Sequence, residues 1–249
     1  SIWLATVVVS GISYLSYLLK RYVFHESGTL VSGIIGGLYS STATISVLAR
    51  KSRKASEQEA TDYVAAMLLA VSMMFLRFMI LILIFSREIF LSIYPYLLTM
   101  AVVAAIVAWF IHSRQKRPED QSAETEEDDS SNPLEFKVAL IFAVLFVIFT
   151  FLTHYTLVYA GTGGLNLLSF VSGFSDITPF ILNLLQNTGS VAALIITACS
   201  MQAIISNIMV NMFYALFFAG KGSKLRPWIL GGFGVVIACN LVLLLFFYI

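Results

Sequence analysis

Charged residues, cysteine, histidine and proline are all scarce in this sequence of 249 residues. Only 12% of the residues are charged, 59% are hydrophobic, and the mean hydropathy is +0.88. A soluble domain needs about 25% charged residues to cover its surface. The apolar residues also fall in long blocks, such as Val64–Phe85, which match a bilayer core of about 30 Å. The composition excludes an ordinary soluble protein and predicts a multi-pass membrane protein.

Cys199 and Cys239 lie within apolar blocks, which favours a packing role over a disulfide or a metal site. The three histidines are scattered and lack Cys or carboxylate partners at ligand spacing, so no zinc site is predicted. The motifs GxSxG, HExxH and GxxxxGK are absent. With a net charge of +1 and no basic patch, nucleic-acid binding is not expected. We expect neither an enzyme nor a cofactor.

One hydrophilic stretch divides eight apolar segments into two groups of four. The segments span residues 2–19, 31–49, 63–85, 92–112, 134–160, 164–186, 191–219 and 226–249. The stretch between the groups starts basic and turns acidic, which predicts a solvated, disordered linker. The predicted domains are a first membrane repeat at 1–113, the linker at 114–131 and a second membrane repeat at 132–249. The first segment lacks the charged start and cleavage site of a signal peptide, and the abrupt beginning at Ser1 predicts a piece of a longer protein.

The two halves resemble each other in sequence. Residues 37–42 (GLYSST) can be laid over 173–178 (GFSDIT), and residues 72–77 (SMMFLR) over 206–211 (SNIMVN). Both halves have a Gly- and Ser/Thr-rich second segment followed by a long, strongly apolar third segment. Self-similarity at a regular spacing indicates an internal duplication.

The positions of the basic residues favour an unusual topology. If all eight segments crossed the membrane, Lys and Arg would divide six against eight between its faces. If the second and sixth segments enter and leave by the same face, thirteen basic residues share one face, Arg87 lies opposite and Arg77 stays within a span. The positive-inside rule assigns the basic face to the cytoplasm. We therefore expect the linker and most basic loops to lie in the cytoplasm.

The second and sixth segments also have the composition of broken helices. Their glycines and hydroxyls, together with Asp176 and Pro179, are unsuited to lipid but fit broken helices that line an enclosed cavity. Each half then has three crossing helices and one broken or re-entrant segment, and an odd number of crossings inverts the second half. The predicted fold is an all-α integral membrane protein with two inverted repeats, a plan that recurs in transporters.

Asp176 is the carboxylate deepest in an apolar segment, and Arg77 is the deepest basic residue. A charge costs several kcal/mol at mid-membrane, so Asp176 is predicted to be a cation or proton site or, alternatively, a partner in a buried structural pair. For Arg77 the alternatives are an ion pair with Asp176, contact with an anionic substrate, and snorkelling to the surface.

A hydroxyl cluster after Gly37 has two interpretations. Hydroxyls and freed carbonyls can replace an ion's hydration shell, or small residues such as Gly33 and Gly37 can allow close helix packing. Ser200, Asn207, Asn211 and Tyr214 form a polar stripe on the seventh segment, which either lines a pathway or joins helices. The predicted ion or substrate ligands are Ser40, Ser41, Thr42, Thr44, Arg77, Ser175, Asp176, Thr178, Asn207 and Asn211, with Asp176 the candidate for any metal.

Four stretches resemble a bacterial membrane family, the domain of unknown function 4010 that commonly follows an MgtC/SapB-like domain. They are residues 36–53, 132–142, 172–180 and 206–207. The resemblance covers nearly the whole chain and implies a multi-pass protein of the bacterial cytoplasmic (inner) membrane, often with an MgtC-like N-terminal partner domain. It implies no substrate. It also implies an acidic residue where this chain has Thr178 and a Lys where it has Asn211. Losing one charge of each sign suggests that these two side chains meet in the fold.

These observations favour a transporter or channel for a small ion or solute, with a site midway across the membrane between the repeats. The alternative is a non-transporting membrane module that binds or regulates a partner, such as an MgtC-like domain. Its polar residues would pack dry and fully paired. An enzyme is the weakest hypothesis because Asp176 has no second intramembrane carboxylate. The expected partners are the lipid bilayer, the transported species and a second copy of the chain.

Overall fold

The computed structural model describes residues 7–11, 14, 18, 28–53, 55, 57–114, 136–186, 191–220 and 223–248. The regular elements within these ranges are helices, which we number in chain order. They are α1 (Thr29–Lys51), α2 (Glu57–Phe85), α3 (Arg87–Ser113), α4 (Phe136–Ser172), α5 (Ile177–Gln186), α6 (Ala193–Ala219) and α7 (Arg226–Tyr248). Nearly all of the predicted acidic linker and most of the first predicted segment lie outside the described residues.

Six helical stretches in this part of the chain are long and apolar enough to cross a membrane. They are Thr29–Lys51, Thr61–Phe85, Arg87–Ser113, Val144–Gly161, Ala193–Ala219 and Arg226–Phe246. The stretches in α2 and α6 are the most enclosed, with 50% and 67% of their most apolar windows buried. The structure therefore agrees with the predicted all-helical membrane protein, with α2 and α6 at its centre.

Helix α1 is broken in the middle, as its glycine and hydroxyl content predicts. Ser40 has an extended backbone (φ −157°, ψ 108°), and a Cβ placed on Gly36 would lie 2.5 Å from Oγ1 of Thr44. In an unbroken helix, residues eight positions apart are separated by about 12 Å. The two halves of α1 therefore fold back on each other, and we call this element hairpin 1, with its tip at Ser40.

The first half of hairpin 1 runs parallel to α2. A Cβ on Gly33 would overlap the carbonyl oxygen of Ala66, and a Cβ on Gly37 would lie 2.5 Å from Cα of Ala70. From the first contact pair to the second, the residue number increases by four in both helices, so the two helices are parallel. Only glycine allows backbones to come this close. The short connection 52–56 then requires the second half to return towards the start of α2.

Helix α4 reverses direction at Gly161, where φ is +58°, a conformation that glycine adopts without strain. A Cβ on Gly164 would lie 2.5 Å from Cβ of Ala160 and 2.7 Å from Cγ2 of Thr156. Such contacts across eight residues again require a turn back. The stretch Gly163–Ser172 is therefore a separate short helix that packs on the long first part of α4.

This short helix and α5 form a second helical hairpin, which we call hairpin 2, with its tip at residues 173–176. The hydroxyl of Ser169 donates to Oε1 of Gln202 (2.9 Å), and a Cβ on Gly173 would overlap Cβ of Ser206. Between these two contact pairs the residue number again increases by four in both elements, so Gly163–Ser172 runs parallel to α6. Helix α5 then returns towards the start of α6.

Helices α3 and α7 are joined by a buried polar pair. The hydroxyl of Tyr96 donates to Oδ1 of Asn240 (2.5 Å), and Nδ2 of Asn240 donates to the carbonyl of Val236 (2.7 Å). Both side chains are buried. Since a polar atom in an apolar interior needs a partner, this pair fixes how α7 sits against α3.

Tyr96→Phe is expected to destabilise the protein by about 1–3 kcal/mol, because Oδ1 of Asn240 loses its donor while it stays buried. Thermal unfolding in detergent measures this change. Tyr94→Phe is the matched control, since Tyr94 lies on the same helix with an exposed side chain. An equal effect of the two substitutions would contradict a special role for the Tyr96 hydroxyl.

Candidate functional site

The tip of hairpin 1 is a helix start as well as a helix end. The backbone N–H of Ala43 donates to Oγ of Ser40 (3.3 Å), so Ser40 caps the N-terminus of the second half of α1. The first half ends at Tyr39, in the last turn of a helix, where carbonyls lack the full set of helical donors. The break therefore brings a positive helix end and a negative helix end together at one point.

The tip of hairpin 2 has the same arrangement. Residues after Ser172 leave the helix, and Oδ1 of Asp176 accepts the N–H of Thr178 (2.9 Å), which caps the start of α5. A carboxylate at a helix N-terminus is stabilised by the helix dipole. Pro179 lies in the first turn of α5, where a missing N–H leaves no helical bond unmade. The sequence correctly predicts a break beside Asp176.

Arg77 of α2 connects the two tips. Its Nη1 donates to the carbonyl of Tyr39 (2.7 Å) and its Nη2 donates to Oγ1 of Thr178 (2.8 Å). The carboxylate of Asp176 also acts on the guanidinium electrostatically. One side chain thus holds the negative helix end of hairpin 1 against the first turn of α5. Nε of Arg77 is buried and has no hydrogen-bond partner among the described residues.

Helix α6 supplies the donors for the end of the short helix before the hairpin 2 tip. The hydroxyl of Ser206 donates to the carbonyl of Phe170 (2.7 Å), and Nδ2 of Asn207 donates to the carbonyl of Gly173 (3.2 Å). Nδ2 of Asn211 in turn donates to Oδ1 of Asn207 (3.1 Å), which orients that amide. Ser206 and Asn207 thus join α6 to the end of the short helix, while Asn211 supports Asn207 from within α6.

A cavity of about 550 Å³ begins at the two tips. At its inner end lie Ser40, Ser41, Arg77, Ser175 and Asp176. The side chains of Ser175 and Asp176 are exposed to this space. An ionisable carboxylate, a guanidinium and two helix N-termini therefore converge on one water-accessible volume.

The cavity continues between the second half of hairpin 1 and α6. Thr42, Ser46 and Arg50 lie one helical turn apart along one wall, and Asn207, Tyr214 and Phe218 lie along the other. The guanidinium carbon of Arg50 lies 4.3 Å from the ring centre of Phe218, and this pair marks the outer end. The cavity is thus a polar path that runs from the tips to the end of α1.

The structure brings together seven of the ten predicted site residues in the cavity lining, and places three elsewhere. Thr44 packs against Gly36 inside hairpin 1, as the close-packing interpretation expects. Thr178 is buried behind Arg77, and Asn211 is buried beside Asn207. Thr178 and Asn211 thus have other partners, and their predicted meeting stays a prediction.

Sequence reasoning missed Ser46 and Arg50 as lining residues. Thr42, Ser46 and Arg50 are spaced by four residues, so a helix places them on one face. That spacing is a readable signal. The signal is nevertheless easy to overlook, because Arg50 lies at the end of an apolar segment, where charges usually belong to a loop. In addition, the break at Ser40 decides which face of the second half of hairpin 1 points inwards.

Among the described residues, no three His, Cys, Asp or Glu side chains gather as a metal site would require. Asp176 faces the cavity beside hydroxyls and a guanidinium. The described site therefore contains more hydrogen-bond donors than anionic metal ligands.

The fold and this cavity define a polytopic α-helical membrane protein with a polar site enclosed by its helices. The chain belongs to the family described as Domain of unknown function (DUF4010), whose model matches residues 7–219. It is also similar to an uncharacterized protein of Aquifex aeolicus (strain VF5), with 25% identity over 227 residues that cover 89% of this chain and 96% of the relative. No solved structure matches the chain.

Proposed function

We propose that this protein is a transporter or channel that moves a small ion or solute through the cavity at the hairpin tips. The observation that carries this proposal is the cavity of about 550 Å³ between hairpin 1 and α6, with Asp176 exposed at its inner end. An ionisable residue deep in apolar helices is costly and marks a pathway by default. Broken helices that line a cavity supply polar backbone for a ligand midway across the membrane.

We further propose that the two halves are inverted repeats related by a constant shift of 136 positions. Two contacts between hairpin 1 and α2 have counterparts between hairpin 2 and α6. Gly33 with Ala66 corresponds to Ser169 with Gln202, and Gly37 with Ala70 corresponds to Gly173 with Ser206. Each residue of the second pair lies 136 positions after its counterpart.

The same shift relates other features of the two halves. It carries the cap Ser40 onto the cap Asp176, and the first residue of α2, Glu57, onto the first residue of α6, Ala193. The sequence overlay of Ser72 on Ser206 differs from this register by two residues. These coincidences support duplication of one unit made of a crossing helix, a hairpin and two further helices.

The orientation proposed for the halves follows from the order of the helices. Both ends of hairpin 1 lie level with the start of α2, and both ends of hairpin 2 lie level with the start of α6. If α2 and α6 cross in opposite directions, the hairpins enter from opposite faces and meet at their tips. The cavity then opens beside Arg50 on the basic face, which the positive-inside rule assigns to the cytoplasm.

The alternative, a non-transporting module that binds an MgtC-like domain, predicts polar residues that are dry and fully paired. Asp176 is exposed in a cavity and Ser41 lines it, which supports transport over this alternative. We likewise propose a non-enzymatic role, because the site offers no nucleophile beside a base among the described residues.

Asp176→Asn is expected to lower flux at least tenfold, because it removes the carboxylate that offsets the charge of Arg77 at the tips while it keeps the size of the side chain. Flux is measured in proteoliposomes loaded with sodium, potassium, protons, chloride or small neutral solutes in turn. Glu88→Gln is the matched control, since Glu88 is exposed at the start of α3, outside the cavity.

Equal flux of wild type and Asp176→Asn would contradict a role for the carboxylate in transport. A folded wild-type protein that moves none of these species would contradict transport itself. Size-exclusion profiles and unfolding temperatures of the variants separate loss of function from loss of fold.

A further inference from the structure

Four backbone carbonyls that could hold a cation at the tips already accept hydrogen bonds from the protein. Helix C-termini offer carbonyl oxygens, which coordinate sodium or potassium in broken-helix transporters. Here the Tyr39 carbonyl accepts from Arg77 (2.7 Å), the Phe170 carbonyl from Ser206 (2.7 Å) and the Gly173 carbonyl from Asn207 (3.2 Å). The Ser172 carbonyl accepts from Ser175 (3.1 Å). These four carbonyls at the negative helix ends are therefore satisfied by the protein itself.

The tip of hairpin 1 offers backbone N–H donors at the start of its second half. The first N–H groups of a helix have no helical acceptor, and the Ser40 cap takes only that of Ala43. The N–H groups of Ser41 and Thr42 lie in this first turn, at the positive end of a half-helix that lines the cavity. Such an end binds anions through its N–H groups and its dipole.

The side chain of Ser41 is an independent pointer to a ligand. The residue is 7% exposed and lines the cavity, and its hydroxyl makes no hydrogen bond to the described residues. A buried hydroxyl is normally paired, so an unpaired one at a cavity wall fits a donor held ready for a bound group. Nε of Arg77, a residue that also lines the cavity, is likewise unpaired within the described part of the chain.

The charges that line the cavity favour an anion as well. Its cationic residues are Arg50 and Arg77, and its acidic residue is Asp176. The charge of Asp176 is offset by Arg77 and by the start of α5, which it caps. Arg50 at the outer end then leaves one uncompensated positive charge on the path. A single net charge suits a monovalent ion better than a phosphate, which usually needs several Arg or Lys residues.

We propose that the transported species is a small monovalent anion, inorganic or carboxylate, bound at the N-terminus of the second half of hairpin 1. Its donors are the N–H groups of Ser41 and Thr42 and their hydroxyls, with Arg50 guiding entry. This inference rests on the proposed function of the cavity and names its substrate class.

Binding is tested separately from transport. The unfolding temperature of the purified protein in detergent is measured with potassium chloride, nitrate, formate or gluconate at one ionic strength. Anions that fit the site should raise the unfolding temperature as their concentration increases, because a ligand that binds only the folded state stabilises that state. Gluconate is the bulky control. Flux of the same anions is followed in proteoliposomes with a trapped anion-quenched dye.

Thr42→Val and Ser41→Ala each remove one proposed donor with little change in shape. Each should raise the anion concentration needed for half-maximal stabilisation and for half-maximal flux by about tenfold. This is the loss of affinity typical of removing one hydrogen bond to a charged group. Thr153→Val is the matched control, since Thr153 is buried away from the cavity and its hydroxyl is also unpaired among the described residues. It should leave both responses unchanged.

The outcomes separate the two proposals. Flux of a cation or a neutral solute, without stabilisation or flux by any anion, would overturn the anion proposal and leave the transport function standing. Stabilisation by anions that Thr42→Val weakens, without flux of any species, would support the anion site and overturn transport. Equal responses of Thr42→Val, Ser41→Ala and Thr153→Val would contradict the proposed location of the anion.

Discussion

Replacing Gly37 with alanine is expected to destabilise the protein by at least about 3 kcal/mol, towards the upper end of the cost of overpacking. The new Cβ would lie 2.5 Å from Cα and 2.7 Å from the carbonyl oxygen of Ala70. Both atoms belong to the backbone of α2, which cannot rotate away as a side chain can. Hairpin 1 would have to lift from α2, and its tip would leave Arg77. Thermal unfolding in detergent and the yield of monodisperse protein measure the effect.

The chain contains a matched control for this substitution. A Cβ on Gly234 of α7 would have nothing within 4 Å. Gly234→Ala should therefore leave the unfolding temperature unchanged or raise it, because alanine favours a helix over glycine by about 1 kcal/mol. Unfolding temperatures that agree for Gly37→Ala, Gly234→Ala and wild type would show that hairpin 1 does not pack on α2 as described.

Gly173 extends the test to the second half. A Cβ there would overlap both Cβ and Oγ of Ser206, whose hydroxyl also holds the Phe170 carbonyl. Under the proposed repeat, Gly37 and Gly173 are equivalent, so Gly173→Ala should be destabilising as well. A tolerated Gly173→Ala beside a damaging Gly37→Ala would weigh against equivalent packing in the two halves.

The second large effect is expected for Arg77→Gln. The substitution shortens the side chain, leaves the Tyr39 carbonyl and Thr178 hydroxyl without their donor, and removes the positive charge beside Asp176. Removing one member of a buried charged network costs about 3–5 kcal/mol. We expect a loss of that order in the free energy of unfolding, together with loss of flux, since both tips lose their common anchor. Arg87→Gln, at an exposed position that starts α3, should change stability little.

A double-mutant cycle distinguishes this role from a general need for arginine. If Arg77 and Asp176 act on each other, Arg77→Gln with Asp176→Asn should be more stable than the two separate losses predict, by about 0.5–3 kcal/mol. The second substitution removes the carboxylate that the first leaves without a counter-ion. Strictly additive losses would mean that Arg77 acts only through its hydrogen bonds to Tyr39 and Thr178.

Local chemistry made the positions of the breaks predictable. Gly36 and Gly37 shortly before Ser40, and Asp176 followed by Pro179, are signals of helix ends that act over a few residues. The structure has its two tips at these places. By the same reasoning, the sequence overlay of residues 37–42 on 173–178 already paired Ser40 with Asp176. The overlay in the third segment differs by two residues from the proposed shift of 136 positions, because apolar side chains such as those of α2 are interchangeable in sequence and only packing contacts define a register.

The site was only partly predictable, because partners far apart in sequence are chosen by distance in the fold. Arg77 was recognised as a deep charge, but its bonds to Tyr39 and Thr178 connect positions 38 and 101 residues away. Arg50 had no visible role until hairpin 1 turned it towards Phe218. Thr44 is chemically identical to Thr42, and only the fold of the hairpin turns one towards Gly36 and the other towards the cavity.

The sequence by itself determined that this is a helical membrane protein with long apolar helical stretches and two interrupted segments. Those properties depend on composition and on short-range helix signals, which need no partner. Only the tertiary structure decided which carbonyls are already satisfied, which donors remain free and where the cavity lies. The character of the site depends on that balance, because a broken helix exposes both donors and acceptors, and the neighbouring helices decide which of them are left for a ligand.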